Sequence, residues 1–138
     1  GLVFQFPERH FLGLTVGQEL KLGQRRLPYD TAEAVLKQVG LGSVSFQQAP
    51  ERLSGGQQRR LALAVQLLRN PRVLLLDEPT AGLDWSVRDE ILELLVELSQ
   101  ERVVLVVTHE PELFTGLIPA QQCWSLQRGV LQPALQPA

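Results

Sequence analysis

Leu53-Ser54-Gly55-Gly56-Gln57-Gln58-Arg59-Arg60 decides how this chain reads. Ser54 is a favoured residue for the N-terminal cap of a helix, and the glycines behind it leave backbone N–H groups unshielded by side chains. With the positive end of the helix dipole behind them, these groups suit a phosphate carried by another molecule. Working downstream, Leu61, Ala64, Val65 and Leu68 recur at helical spacing until Asn70-Pro71 stops the helix. Val73-Leu74-Leu75-Leu76 follows as a continuous apolar run, read as a strand covered on both faces, with Asp77 where that strand emerges. Ligands bind at that edge of open α/β sheets.

Further downstream, Ala81-Gly82-Leu83-Asp84 reads as a sharp turn, for which Gly82 supplies the freedom. Asp84 or Ser86 can cap the next helix, with Ile91, Leu94, Leu95 and Leu98 inward and Arg88, Asp89, Glu93 and Glu97 toward water. Residues 103–107, Val103-Val104-Leu105-Val106-Val107, form a second buried strand, and His109 stands two positions beyond it. A brief helix is expected from Pro111, then a last strand over 122–126 that turns at Arg128-Gly129.

Upstream, Leu2-Val3-Phe4 is apolar and β-prone, and Pro7 disfavours helix at Phe6, so a buried strand runs into a loop at Gln5. The segment to Tyr29 is mixed. Asp30 starts a helix pattern with Glu33 in the capping-box position, apolar Ala34, Val35, Leu36 and Val39, and Gly40 to close it. Residues 43–51 have loop character. The β-α-β alternation implies a mostly parallel sheet between helices. There is no internal repeat, low-complexity block or interdomain linker.

Taken in order, Gln5, the eight-residue string at 53–60, Val73 to Pro79, Ala81 to Asp84 and His109 resemble the motif set of ATP-binding-cassette (ABC) ATPases. Gly1-Leu2-Val3-Phe4-Gln5-Phe6-Pro7-Glu8 resembles the version found in energy-coupling-factor and cobalt-type importer ATPases. The resemblance implies an α/β P-loop NTPase fold: a mostly parallel sheet with a helical signature subdomain. It divides the chain into a Q-loop at Gln5, the helical subdomain at about 8–70, a Walker B to switch region at 71–115 and a terminal strand region at 116–138. The G-x-x-x-x-G-K-[ST] loop that would cradle the chain's own nucleotide occurs nowhere, and neither Lys21 nor Lys37 sits in such a setting. With Gly1 first, no Met and a strand-like beginning, the chain reads as the C-terminal part of such a domain, its Walker A portion absent.

The resemblance also implies roles. Ser54, Gly55, Gly56 and Gln57 form the signature that meets ATP bound to a partner cassette, and Asp84, in the D-loop, crosses the dimer seam. Trp85 stands where many relatives have proline. Asp77 holds Mg²⁺, commonly through water, Glu78 polarises the attacking water, and His109 contacts the γ-phosphate. Gln5 reaches Mg²⁺ and water. The division suits the two acids, because Mg²⁺ keeps several waters whereas a general base must reach one. Phe6, Pro7, Glu8 and Phe11 lie where a transmembrane transporter subunit docks, or pack on their own helical subdomain. His10 reads as a surface or coupling-region residue.

Composition excludes several classes. The net charge of −2 provides no global field for polyanions, so no nucleic acid is expected as partner. The basic residues are 11 Arg and 2 Lys, and Arg25-Arg26 and Arg59-Arg60 read as solvated pairs, the latter also placed to meet carboxylates or nucleotide. Cys123 alone builds no intrachain disulfide and reads as a packed strand residue. No apolar run approaches the ~18 residues of a membrane span. The expected assembly is a peripheral ATPase at the cytoplasmic face of a membrane, or the stromal side in an organelle, acting as a homo- or heterodimer. A non-transport ABC ATPase of DNA maintenance or translation, and a nonfunctional remnant, are the alternatives. The DNA-maintenance kind usually carries a long coiled coil, and residues 6–53 hold no sustained heptads.

Overall fold

Three parallel strands place the motifs, and the order of those strands follows from the crossovers between them. In this computed structural model, which describes residues 1–117 and 122–134, β1 (Leu2–Val3) pairs with β2 (Val73–Asp77), and β2 with β3 (Val103–Val107). The register sets Leu2 against Leu75, Val3 against Leu76, Leu75 against Leu105 and Asp77 against Val107. Between β1 and β2 lie α1 (Val16–Lys21), α2 (Tyr29–Gln38) and α3 (Gly55–Leu67); α4 (Trp85–Ser99) joins β2 to β3. The chain divides into two compact units, Gly1–Thr108 and His109–Ala138.

In the first unit, each helix begins or ends for a local reason. Ser54 caps α3 through a full capping box: its hydroxyl accepts from the Gln57 N–H at 3.3 Å, and the Gln57 side chain accepts from the Ser54 N–H at 2.9 Å. Asn70, in the left-handed region at φ +47, ends the turn beyond it. Gly40 closes the α2 region at φ +72, as its glycine allows.

Three local expectations are corrected. The Asp30–Glu33 capping box does not form: α2 begins at Tyr29 after Pro28, with no side-chain cap. The N-cap falls on Pro28, two residues before Asp30, and Asp30 lies within the first turn, where its negative charge suits the helix dipole. The apolar face of α2 uses Ala32, Val35 and Leu36, while Ala34 is exposed. The mixed segment also hides α1, capped by Thr15 and anchored by Val16 and Leu20, both buried.

The core lies on one face of the sheet. Val3, Leu74 and Leu76 are buried beneath α3 and α4, where Leu61, Leu63, Ala64, Ile91, Leu95 and Leu98 also lie. Leu68 ends α3 half-exposed, and Leu63 and Leu67 fill the interior instead. On the other face, Val73 and Leu75 are exposed, as are Val103, Leu105 and Val107 at 61%, 56% and 61%. Leu2 and Phe4 are exposed as well. The expectation of strands covered on both faces is therefore corrected for the described residues. An unbroken apolar run records that both faces suit apolar neighbours, and it says nothing of which polypeptide provides them.

The second unit contains a 3-10 turn at Pro111–Phe114 and an antiparallel hairpin, β4 (Trp124–Gln127) with β5 (Val130–Pro133). Arg128 and Gly129 are both left-handed, φ +50 and +80, the combination that suits a two-residue hairpin turn. The expected strand at 122–126 thus begins and ends later and has a return strand, and Cys123, half-buried, precedes it. Residues 118–121 and 135–138 of the expected terminal strand region lie outside the described residues. No helix among the described residues is long and apolar enough to cross a membrane.

Candidate nucleotide site

The carboxyl end of the parallel sheet carries the acidic pair. Asp77 closes β2 with its side chain exposed, and Glu78 follows in the left-handed region at φ +49, unusual for a residue with a β-carbon. Bonds on several sides hold Glu78 there: its N–H donates to the Val107 carbonyl at 2.9 Å, and the Thr108 hydroxyl donates to its carboxylate at 3.2 Å. The chain then turns through Pro79 and Thr80, both fully buried, and through Gly82 at φ +70. Asp84, exposed, stands at the N-cap of α4 without a side-chain cap bond, and Trp85 beside it is 79% exposed.

The signature string meets this edge through Arg59. Its guanidinium, on a residue 5% exposed, donates to the carbonyls of Pro79 at 2.7 Å, Glu78 at 3.0 Å, Ala81 at 3.1 Å and Gln5 at 2.8 Å. The solvated reading of Arg59 is corrected, because four carbonyl dipoles replace the water that a buried cation gives up. Arg60 is part-buried: it pairs with Glu90 of α4 beside Gly40, and desolvation lowers its pKa. A short motif cannot disclose such burial, since a distant part of the chain supplies it.

The two signature glycines differ. A β-carbon on Gly56 would lie 2.3 Å from Cγ1 of Val87 in the first turn of α4, so its smallness lets two helices meet. A β-carbon on Gly55 would meet nothing within 4 Å. With Ser54, Gly55 is exposed at the open start of α3, while Gln57 is half-buried in the capping box. The Ser54 hydroxyl accepts one bond from the helix and keeps its own proton to donate outward.

The structure brings Gln5, Glu78 and the D-loop together on the first turns of α3. His109 is exposed at the start of the second unit, one residue past Thr108. For Mg²⁺ the donor set is spare: no group of three His, Cys, Asp or Glu residues gathers among the described residues, and Asp77 is exposed at the strand end. The exposed Asp77 carboxylate is a hard oxygen donor, of the type Mg²⁺ takes.

Beside β1, a cleft of about 210 Å³ is lined by Phe4, Pro7, Phe11, Leu12, Val65 and Arg69, among others. Glu19 is buried at its wall, where it accepts from the Leu12 and Gly13 N–H groups at 2.9 and 2.7 Å. His10 stacks on Phe4 with ring centroids 4.5 Å apart, and Arg9 lies over the half-exposed Phe6 ring at 4.7 Å.

Comparison with known proteins agrees with this architecture. The ABC transporter family model matches residues 1–81. ABC transporter I family member 11, chloroplastic, of Arabidopsis thaliana is 38% identical over 99% of this chain and 52% of its own length. Energy-coupling factor transporter ATP-binding protein EcfA2 of Symbiobacterium thermophilum is 43% identical over 79% of this chain and 40% of its own. The solved structure of cbiO1 from Clostridium perfringens, part of the ABC transporter complex cbiONQ, superposes with a TM-score of 0.70. It is 37% identical over 79% of this chain and 46% of that one. The chain spans about half the length of these relatives or less. A family model that matches residues 1–81, more than half of the chain, together with the likeness to the solved cbiO1 structure, establishes that this chain belongs to the ABC transporter family.

Proposed function

We propose that this chain is part of an ATP-binding and hydrolysing subunit of an ABC transporter, of the energy-coupling-factor or cobalt importer kind. It supplies the signature helix and the water-activating acid to pockets shared with a second ABC ATPase subunit. The observation that carries the reading is the guanidinium of Arg59, which ties the helix begun by Ser54 to the loops at Gln5, Glu78 and Ala81. Ligand-facing and acid-bearing elements are thereby held in one frame.

Ser54 donates its hydroxyl proton and Gly55 its N–H toward a phosphate held by the partner subunit, with Gly56 and Gln57 supporting the same turn. Asp77 and Gln5 would hold Mg²⁺, which supplies charge neutralisation at the phosphates when bound. Glu78 accepts the proton of the attacking water, His109 steadies the γ-phosphate side, and Asp84 reaches across the seam between subunits. ATP closes the pair by bridging both subunits, and its loss lets them part. The cleft at Phe4, Pro7 and Phe11, with Phe6 beside it, supports docking of a transmembrane subunit around residues 6–11. The helical subdomain at 8–70, the Walker B to switch region at 71–115 and the region at 116–138 are the corresponding parts. The location is the membrane's cytoplasmic face, or its stromal side in an organelle.

By themselves, these 138 residues lack the phosphate nest and its lysine. Isothermal titration with Mg-ATP should find binding weaker than about 1 mM, roughly 4 kcal/mol, and no turnover. Saturation at micromolar ATP would contradict the assignment of this half of the pocket. Ser54→Asp separates the two tasks of Ser54 in the intact subunit. Aspartate caps a helix as well as serine, so the melting temperature should hold, with stability changed by less than about 0.5 kcal/mol. Its negative charge opposes the phosphate, so ATP-induced pairing of subunits, read by size-exclusion chromatography, should disappear. Undiminished pairing would remove Ser54 from the site.

A further inference from the structure

We propose that Arg59 is a positioning residue for the hydrolytic step: it holds the left-handed peptide of Glu78 and makes the Q-loop, the Walker B end and the D-loop move as one body with the signature helix. This rests on the reading of Glu78 as the water-activating acid.

The geometry is unlike that of a surface arginine. Nη1 is shared among the carbonyls of Glu78, Pro79 and Ala81, and Nη2 takes that of Gln5, 54 residues away in sequence. Carbonyl oxygens gathered from separate loops repel one another unless a cation lies among them, and a buried guanidinium needs such a shell in return. Each therefore depends on the other.

The dependence is sharpest at Glu78. A residue with a β-carbon at φ +49 persists only where its surroundings over-determine it. The Glu78 carbonyl receives Arg59 and the Ala81 N–H, its own N–H is taken by Val107, and its carboxylate is met by Thr108. Removing Arg59 frees the carbonyl side of that peptide. The side chain's aim then drifts while the strand below it stays paired. Arg59 lies five residues past Ser54 on the same helix, so a displacement of α3 on meeting nucleotide passes through its guanidinium directly to the loops at Gln5 and Glu78. Lysine cannot substitute fully, because one ammonium lacks the planar fork that spans loops on two sides.

The test compares Arg59→Gln and Arg59→Lys in the intact ATPase subunit, by amide hydrogen exchange and steady-state ATP hydrolysis. In Arg59→Gln, the amides of Ala81 and Leu83, whose acceptors are Glu78 and Thr80, should exchange about tenfold faster or more. The amides of Leu75 and Val103, bonded to Gly1 and Arg72, should stay within about twofold. The kcat should fall about 100-fold with KM for ATP within about twofold, since geometry and not nucleotide contact is lost. Arg59→Lys should fall between in both readouts, and it carries the test if the glutamine variant does not fold. Uniform acceleration of all slow amides, or a raised KM with unchanged kcat, would overturn the proposal. A wild-type subunit that hydrolyses no ATP yet shows localised exchange in the variant would overturn the reading of Glu78 while leaving the clamp standing.

Discussion

Glu78→Gln in the intact subunit should abolish steady-state ATP hydrolysis, by about 10² to 10⁴-fold, while leaving nucleotide binding in place. Glutamine keeps the length and shape of glutamate. Its amide oxygen still accepts from the Thr108 hydroxyl, and the backbone bonds to Arg59, Ala81 and Val107 do not involve the side chain at all. The left-handed peptide and the loop it starts therefore persist, while the side chain can no longer accept a proton as a carboxylate does. Phosphate release measures the first effect, and retention of ATP on a subunit dimer that no longer reopens measures the second. Turnover within about threefold of wild type would assign the proton to another group, because a positioned general base contributes far more than that.

Gly56→Val should destabilise the subunit by about 3 kcal/mol, near the upper end for overpacking. The first added carbon already falls 2.3 Å from Cγ1 of Val87, and the methyls beyond it enlarge the overlap. Val87 is itself β-branched and held by the start of α4, so it has little rotamer freedom with which to retreat. The helices must separate instead, carrying Ser54 away from Asp84. Val87→Ala in the same chain should recover about half of the loss, a coupling that a double-mutant cycle in urea unfolding measures directly. Additive effects would show that Gly56 is needed for some reason other than this contact.

What could be read from residue order and what could not divide along physical lines. The N-cap at Ser54, the terminator at Gly40, the turns at Gly82 and Arg128-Gly129 and the acid at the end of β2 are local signals, and the structure contains each of them. The order of motifs also implied the parallel sheet and the family. The burial of Arg59 and the pairing of Arg60 were not legible, because their acceptors lie 19 or more residues away on other elements. Nor was the left-handed Glu78, a residue type that gives no conformational hint of its own. Helix α1 did offer a signal, Thr15 followed by Val16 and Leu20 at helical spacing, but six residues are too few for periodicity to stand out. The roles of Gly55 and Gly56 look identical as letters and separate only when Val87 is placed over one of them.

The apolar side of the sheet left bare by these residues has a thermodynamic consequence. Val73, Leu75, Val103, Leu105 and Val107 offer water a continuous hydrocarbon surface, and a molecule that recognises their ordered arrangement binds the folded form in preference to the unfolded one. By mass action, such a ligand raises the unfolding free energy with the logarithm of its concentration. A melting temperature recorded for these 138 residues therefore describes the solution as much as the polypeptide, and it acquires a fixed meaning only once the occupant of that surface is specified.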